Sequence, residues 1–481
     1  MKLAKCAAGA AFAALAAGCS LQPIYQRPAA PVSATFPTGQ AYKPGAGATK
    51  LPATEIGWRN FLTDPRLQRL VELGLQNNRD LRVAMLNVEK VQAQYRIQRA
   101  ALFPQVAAGA SVVDSRTPAS VTSSHNVLMT HDYSTGLSAA WEIDFFGRMR
   151  SLSDAALDQY LASAYARQAA EILLVSQIAD QYLTTIAYDE QLLVTQNTLT
   201  ASQEAYKLMK LQYDTGTASE LDLRLSQTIV DQSQANYAAQ VRMRAQAENA
   251  LVLLVGEPLP KDLPPAVRLG EQPILTDIPA GLPSDLLTRR PDILQAEALL
   301  QSENANIGAA RAAFFPSISL TGALGSESAS LGSLFGAGSA AWSFIPSISL
   351  PIFTAGALKA NLDVAKVSKD IGIAQYEKAI QVAFQEVADG LAARGTYDDQ
   401  VAAQQRDTDA QQRRLDLENM LYKNGIDSYQ NVLLAQTDLY TSQQALVTAR
   451  LNRLTSLVDL YRALGGGWIA NTGDAPRQVV Q

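Results

Sequence analysis

The sequence is poor in the side chains that build metal centres and catalytic sites. It has two histidines and two cysteines in 481 residues, and His125 and His131 share one polar stretch. Two lone histidines are more often surface residues than metal ligands. No Ser/His/Asp order, glycine-rich phosphate loop or metal cluster appears. We therefore expect neither an enzyme nor a metal cofactor.

An excess of positive charge and a long apolar run are also lacking. The formal net charge is -5, which leaves no basic patch, so nucleic acid is not expected as a partner. No run of eighteen apolar residues occurs after the first twenty residues, which argues against a membrane-spanning helix. Charged residues make up only 18% while Gln and Ala are abundant, a composition typical of long helices with polar faces.

Residues 1–18 predict a secretory signal that is followed by Cys19. Two lysines precede an apolar stretch too short to span a bilayer. Residues 16–19 resemble the lipobox of bacterial lipoproteins, with Ala16 at the place where leucine is usual. We expect Cys19 to carry a diacylglycerol and an N-acyl chain and no other cofactor to be present; the alternative is an ordinary signal with an incidental cysteine. Cys6 leaves with the signal, so no intramolecular disulfide can form.

The chain contains two copies of one unit. Residues 80–104 align without a gap with 292–316, and both segments end in an Arg-Ala-Ala-x-Phe-Pro motif. Further along, 213–216 align with 422–425 in the same order. A duplication of this kind predicts two structural repeats. We expect a signal peptide, a lipidated strap, two repeats and a tail, at 1–18, 19–60, 61–270, 271–468 and 469–481.

Each repeat contains two segments in which apolar and polar residues alternate, the period of a strand with one polar face. The expected strands are about 104–114, 132–146, 316–326 and 341–353. On their apolar face we expect membrane-facing side chains, namely Trp141, Ile143, Phe145, Leu320, Trp342 and Phe344. The alternative is a soluble sandwich attached to coiled coils.

Very long helical patterns follow the strands, at about 151–214 and 357–423. At 1.5 Å per residue each is roughly 90–100 Å long. Glycines 216 and 425 predict turns, with hairpin tips at about 214–222 and 423–431, after which a helix of about 38 residues returns. Apolar residues seven apart in the returning helices predict knobs-into-holes packing.

Four antiparallel strands leave two open sheet edges, and an open edge is not viable in lipid because its backbone groups lack partners. Two chains would give eight strands and a filled barrel, whereas three give twelve strands and an open lumen. We therefore expect an α+β membrane protein that forms a homotrimer with a transmembrane β-barrel of twelve strands.

Several motifs resemble the TolC-like outer membrane factors of RND efflux systems, and more narrowly the OprM-type lipoproteins. The signature is Leu-Pro-Ser-Asp-Leu-Leu at 282–287 with Arg-Arg-Pro-Asp-Ile at 289–293. Supporting motifs lie at 24–28, 56–59, 78–81 and 465–468.

The resemblance implies an outer-membrane homotrimer in which a long α-helical barrel crosses the periplasm and is continuous with the transmembrane β-barrel, which contacts outer-membrane lipid. Its implied partners are a periplasmic adaptor protein and an inner-membrane RND transporter. The implied function is passive export of small molecules in multidrug efflux. Metal-ion efflux, type I secretion and a non-channel structural envelope lipoprotein remain alternatives.

The resemblance also implies a periplasmic gate at the hairpin tips. Asp222 and Tyr422 match an aspartate and a tyrosine that hold the two hairpins together in the closed state. We predict a hydrogen bond between Asp222 and Tyr422 that helps to latch the tip. The alternative is that both are solvated residues on helix surfaces.

Relatives often carry aspartates around the lumen where this chain has Asn431 and Leu434. We expect the narrowest point to involve these two residues, with less attraction for cations than an aspartate ring gives. Asp427 lies nearby at the turn and is expected to restore some negative potential. Gly216 and Gly425 mark the tips where we expect contact with the adaptor.

Overall fold

A computed structural model describes residues 20–43, 51–276, 278, 279, 281 and 283–474. The expected signal, Cys19 and the last seven residues lie outside the described residues. The chain divides into two compact units, each built from both repeats. Among the described residues, the sheet unit comprises those within 20–29, 87–163 and 296–376, and the helical unit comprises those within 30–86, 164–295 and 377–474.

Each repeat supplies a short helix, two strands, a very long helix and a returning helix. In chain order the elements are α1 (Trp58–Phe61), α2 (Pro65–Asn77), α3 (Arg79–Ala100), β1 (Gln105–Thr117), β2 (Leu128–Ile143), α4 (Arg148–Asp214), α5 (Glu220–Val255), α6 (Pro283–Arg289), α7 (Pro291–Ala312), β3 (Ser317–Ser328), β4 (Ala340–Ser349), α8 (Ala357–Lys423) and α9 (Tyr429–Ala463). Helices α4 and α8 each have 67 residues, or about 100 Å. Among the described residues, no helix combines the length and the apolar character that crossing a membrane requires.

The four strands form one antiparallel sheet in the order β1-β2-β3-β4, so the central pair joins the two repeats. The register places Trp141 opposite Leu320 and Leu324 opposite Trp342. Since paired residues share a face, one side of the sheet is mostly apolar, with Leu137, Trp141, Ile143, Ile318, Leu320, Leu324, Trp342, Phe344 and Ile348. The other side carries mainly serine, threonine and small residues.

The strand ends differ from those that alternation predicts. Strand β2 ends at Ile143 because the Asp144 carboxylate accepts the Arg150 backbone N–H, 2.8 Å away, at the start of α4. Strand β4 ends at Ser349, two residues before Pro351, which has no N–H to donate to a ladder. Strand β1 continues three residues beyond the predicted end.

A row of three glycines crosses the sheet: Gly109 pairs with Gly136, which pairs with Gly325. A Cβ atom at Gly136 or Gly325 would overlap the backbone of the opposite strand. Strands β2 and β3 therefore approach each other too closely here for any side chain, as happens where a sheet is strongly curved.

The first described residues form a strap that follows α7 within the sheet unit. Arg311 donates to the Leu21 carbonyl (3.2 Å), and Asn304 donates to the Pro23 carbonyl (2.8 Å). Arg27 makes a bidentate ion pair with Glu297, at 2.7 and 2.8 Å. The seven residues from 21 to 27 are separated by six extended steps and span about 20 Å, which matches the rise of α7 from 311 to 297 at about 1.5 Å per residue.

In the helical unit the signature arginine Arg290 is buried. Its guanidinium donates to the Asp292 carboxylate and the Ala463 carbonyl, and it forms an ion pair with Glu386 at 2.7 Å. A guanidinium offers five donors in a fixed plane, so one side chain can join α7, α8 and the end of α9. The motif that carries the family resemblance thus has an architectural role.

Candidate functional site at the helical hairpin tips

The first hairpin turns between α4 and α5. Gly216 adopts a left-handed conformation (φ 78°), which costs little for a residue without a Cβ atom. Ser219 caps α5: its hydroxyl accepts the Asp222 N–H (3.1 Å) and donates to the Asp222 carboxylate (2.7 Å). This reciprocal arrangement satisfies a free N–H at the helix start and fixes the Asp222 side chain there.

The second hairpin turns between α8 and α9 with the same backbone and different side chains. Gly425 is again left-handed, with φ 71°. The Asp427 carboxylate accepts from the Ser428 N–H (2.6 Å) and from the Asn431 side-chain amide (2.7 Å). Asn431 is thereby held at the turn by the acidic residue that precedes its helix.

The predicted hydrogen bond between Asp222 and Tyr422 is not formed within the described residues of the single chain. The Tyr422 hydroxyl donates instead to the Gln212 side-chain oxygen, 3.2 Å away. The Asp222 carboxylate instead accepts from the hydroxyl of Ser219, the residue that caps its own helix three positions earlier. Burial, and next the negative charge of Asp222, raise the pKa of Tyr422, so the carboxylate still acts on this hydroxyl.

A buried apolar cluster joins the two hairpins just behind the turns. We call it the tip cluster; its members are Met209, Leu223, Tyr429, Val432 and Leu433. The ring of Tyr422 contacts that of Tyr429, with centroids 5.1 Å apart. Tyr429 was not among the gate residues expected from the sequence. The alignment of the repeats did contain a signal, because position 429 aligns with an acidic residue, Glu220, which is exposed. The two repeats therefore differ in character at this position.

The other predicted gate residues lie near this cluster with different exposure. Leu434 is 48% exposed, whereas Asn431 and Asp427 are half-buried. Added Cβ atoms at Gly216 and Gly425 would meet no neighbour within 4 Å, so both turns are open to the surroundings.

Two exposed apolar side chains at the tips were also missed from the sequence. Leu221 is 68% exposed and Ile426 is 71% exposed, one on each hairpin. Single apolar side chains that remain exposed are common on protein surfaces and do not by themselves mark a contact site.

The residues predicted to face lipid lie in the sheet unit. Trp141, Ile143, Leu320, Trp342 and Phe344 share the apolar face, and Trp342 is 78% exposed. Phe145 was expected on the same face but lies two residues beyond the end of β2, in the bend before α4. Near that strand end the Trp141 indole donates to the Leu102 carbonyl, 3.1 Å away.

Two long helical hairpins and a four-stranded sheet with one apolar face define the class of a helical-duct membrane channel subunit. The sequence model described as outer membrane efflux protein matches residues 70–257 and 282–466, one segment in each repeat. The chain belongs to the outer membrane efflux protein family, which confirms the resemblance seen in the sequence. The members of this family are efflux duct proteins.

Individual relatives agree over almost the whole chain. The toluene efflux pump outer membrane protein TtgC of Pseudomonas putida is 49% identical over 463 residues, covering 96% of this chain and 95% of the relative. The solvent efflux pump outer membrane protein SrpC of Pseudomonas putida is 48% identical over 452 residues, covering 94% and 96%. The open-state crystal structure of the Neisseria gonorrhoeae MtrE outer membrane channel superposes with a TM-score of 0.85, at 39% identity, over 95% of this chain and 100% of MtrE.

Proposed function

We propose that this protein is the outer-membrane exit duct of a tripartite RND-type efflux pump, a passive conduit that releases small molecules outside the cell. The observation that carries the proposal is the amphipathic sheet together with two 67-residue helices, in a chain similar to named efflux pump outer membrane proteins. A sheet with one exposed apolar face fits lipid, and helices of about 100 Å with polar faces fit a wide aqueous compartment.

The sheet supports a homotrimer. As far as the described residues go, β1 and β4 each pair with one neighbour, so each chain presents two free edges. Pairing β4 with β1 of the next chain closes the barrel, and three chains give twelve strands around a lumen wide enough for solutes. The serine- and threonine-rich face then lines the lumen.

The hairpin tips form the periplasmic gate in this proposal. Asp222, Tyr422, Asp427, Asn431 and Leu434 lie at or near the turns, three copies of each in the trimer. The gate partner is a periplasmic adaptor, which contacts the tips at Gly216 and Gly425 and links the duct to an inner-membrane RND transporter.

The anchor lies at the other end of the strap. Cys19 carries the diacylglycerol and N-acyl chain in this proposal, and the strap leads from it along α7. Arg311, which donates to the Leu21 carbonyl, lies in the last turn of α7, and β3 begins shortly afterwards at Ser317. The lipid therefore enters the membrane near the base of the sheet.

The test is channel activity of the purified protein in a planar lipid bilayer. We expect trimers in mild detergent by native mass spectrometry and discrete single-channel conductance after reconstitution. A protein that stays monomeric with its strands intact, or that inserts without conducting, would contradict the proposal. In cells that lack their own exit duct, expression with the cognate adaptor and transporter restores drug resistance.

A further inference from the structure

The two hairpins are related by duplication but bury different residues at the same place. Position 429 of the second repeat aligns with Glu220 of the first, whose side chain is 64% exposed and pairs with Arg224. Tyr429 itself is 8% exposed and belongs to the tip cluster. The second repeat thus places an aromatic ring in the contact between the hairpins where the first repeat has a solvated acid.

The Tyr429 hydroxyl is buried without a hydrogen-bond partner among the described residues. Burial raises the pKa of Tyr429, so the hydroxyl remains neutral and keeps its proton. The buried Ser226 side chain lowers the pKa of Tyr429, but the two hydroxyls do not form a hydrogen bond of normal length and angle. A buried donor without an acceptor destabilises the arrangement that buries it.

The neighbouring ring is in the opposite situation. Tyr422 contacts Tyr429 at 5.1 Å, but its hydroxyl donates to Gln212 of the first hairpin. That hydrogen bond stabilises the packed arrangement of the hairpins. The hydroxyl of Tyr422 therefore stabilises the packed arrangement of the hairpins, whereas the hydroxyl of Tyr429 destabilises it.

We infer that Tyr429 is a positioning residue that regulates the gate: its ring holds the second hairpin against the first, while its unpaired hydroxyl keeps this packed state readily reversible. The inference rests on the proposed function, in which separation of the hairpins opens the duct. Because the hydroxyl is already closed to solvent within one chain, neither water nor a neighbouring chain reaches it unless the tip cluster opens. Opening gives the hydroxyl water as a partner, and this gain favours the open state.

The test compares the same conservative substitution at both positions. Tyr429→Phe removes the unpaired hydroxyl and keeps the ring, so we expect an open probability at least about fivefold lower than wild type in single-channel recordings. Tyr422→Phe removes the bond to Gln212, so we expect an open probability roughly two- to tenfold higher. Tyr429→Ala removes the ring from the cluster and is expected to raise it as well.

Opposite signs separate this inference from a purely structural role, which would move both Phe variants in the same direction. An unchanged or higher open probability for Tyr429→Phe overturns the inference, provided that trimer content and helical circular dichroism match wild type. A wild-type protein that forms no channel at all would refute the proposed function instead.

Discussion

At the scale of single residues, one buried carboxylate fixes the position of the strap on α7. Glu297 is 5% exposed, and its ionic partner is Arg27 of the strap. Tyr25 also donates to Glu297, at 3.2 Å. A buried carboxylate is costly unless it is paired, so α7 presents a site that the strap must fill. The strap thus depends on a small number of specific contacts.

Replacing Arg27 with alanine is expected to release the strap. The substitution leaves Glu297 without its cation; since Arg27 is half-exposed, we expect a cost of about 2 kcal/mol, which is roughly a 30-fold increase in strap opening. The measurement is the rate of proteolytic cleavage within residues 20–43 of the folded protein. Lys43→Ala is the matched control, since Lys43 pairs with the exposed Asp399 and its loss is expected to change the rate less than about threefold. Equal rates for the two variants would argue against the Glu297 site.

Asp180 of α4 gives the helical unit a pH-dependent stability. Burial, with a smaller contribution from the nearby charge of Asp459, raises the pKa of Asp180 to about 8, and Arg462 opposes the shift. The folded state therefore binds a proton that the unfolded state has released above pH about 4. The contribution of Asp180 to stability falls as the pH rises from about 4 to about 8.

We expect Asp180→Asn to remove most of this pH dependence. The amide keeps the shape and carries no charge, so the thermal unfolding midpoint of the variant should exceed that of wild type at pH 8 and approach it at pH 5. Unfolding followed by circular dichroism at several pH values measures the effect. Asp409→Asn, at an exposed position of α8, is the control and should leave the pH profile of wild type in place. A midpoint difference that is the same at pH 5 and pH 8 would contradict the assignment.

At the scale of elements, the pairing register of the strands decides which side chains share a face of the sheet. The alternating pattern gives one apolar face only if the strands pair without a slip, because a shift by one residue would move every side chain to the other face. The glycine row from Gly109 to Gly325 acts in the same direction. In the observed register Gly136 and Gly325 meet where β2 and β3 are closest, and a Cβ atom at either position would overlap the opposite backbone.

We expect Gly325→Ala to disrupt the sheet and Gly322→Ala to be tolerated. A Cβ atom at 325 overlaps the Thr135 backbone, whereas at 322 its nearest neighbour is the Ser343 carbonyl oxygen at an ordinary 3.7 Å. Both substitutions lie in β3, so strand propensity changes equally in the two. The yield of folded protein from membranes is the measurement, with a loss of at least about tenfold expected for the Gly325→Ala variant. Similar yields for both would show that the strands can move apart at no cost.

At the scale of the whole molecule, the chain consists of two repeats that share one architecture and differ at the hairpin tips. Both repeats use a glycine with positive φ at the hairpin turn, yet only the second contributes a buried tyrosine, Tyr429, to the tip cluster. In the proposed trimer six hairpins therefore alternate between two kinds.

The sequence by itself determined the features that depend on local periodicity and on repetition: the helical hairpins with their glycine turns, the alternating strands and the family signature. These patterns are local because helix and strand geometry repeat every few residues. Even so, strands β2 and β4 end at Ile143 and Ser349 because of the Asp144 cap and Pro351, and the alternating pattern does not reveal either effect.

Only the tertiary structure decided which polar groups meet. Two hydroxyl groups could donate to the Asp222 carboxylate, and the one that does is the Ser219 hydroxyl that caps its own helix, not that of Tyr422. Tyr429 looked like an ordinary helical residue until the second hairpin packed on the first and closed its hydroxyl off from water. Hydrogen bonds depend on distances of a few tenths of an ångström between residues about 200 positions apart, and no sequence period encodes such distances.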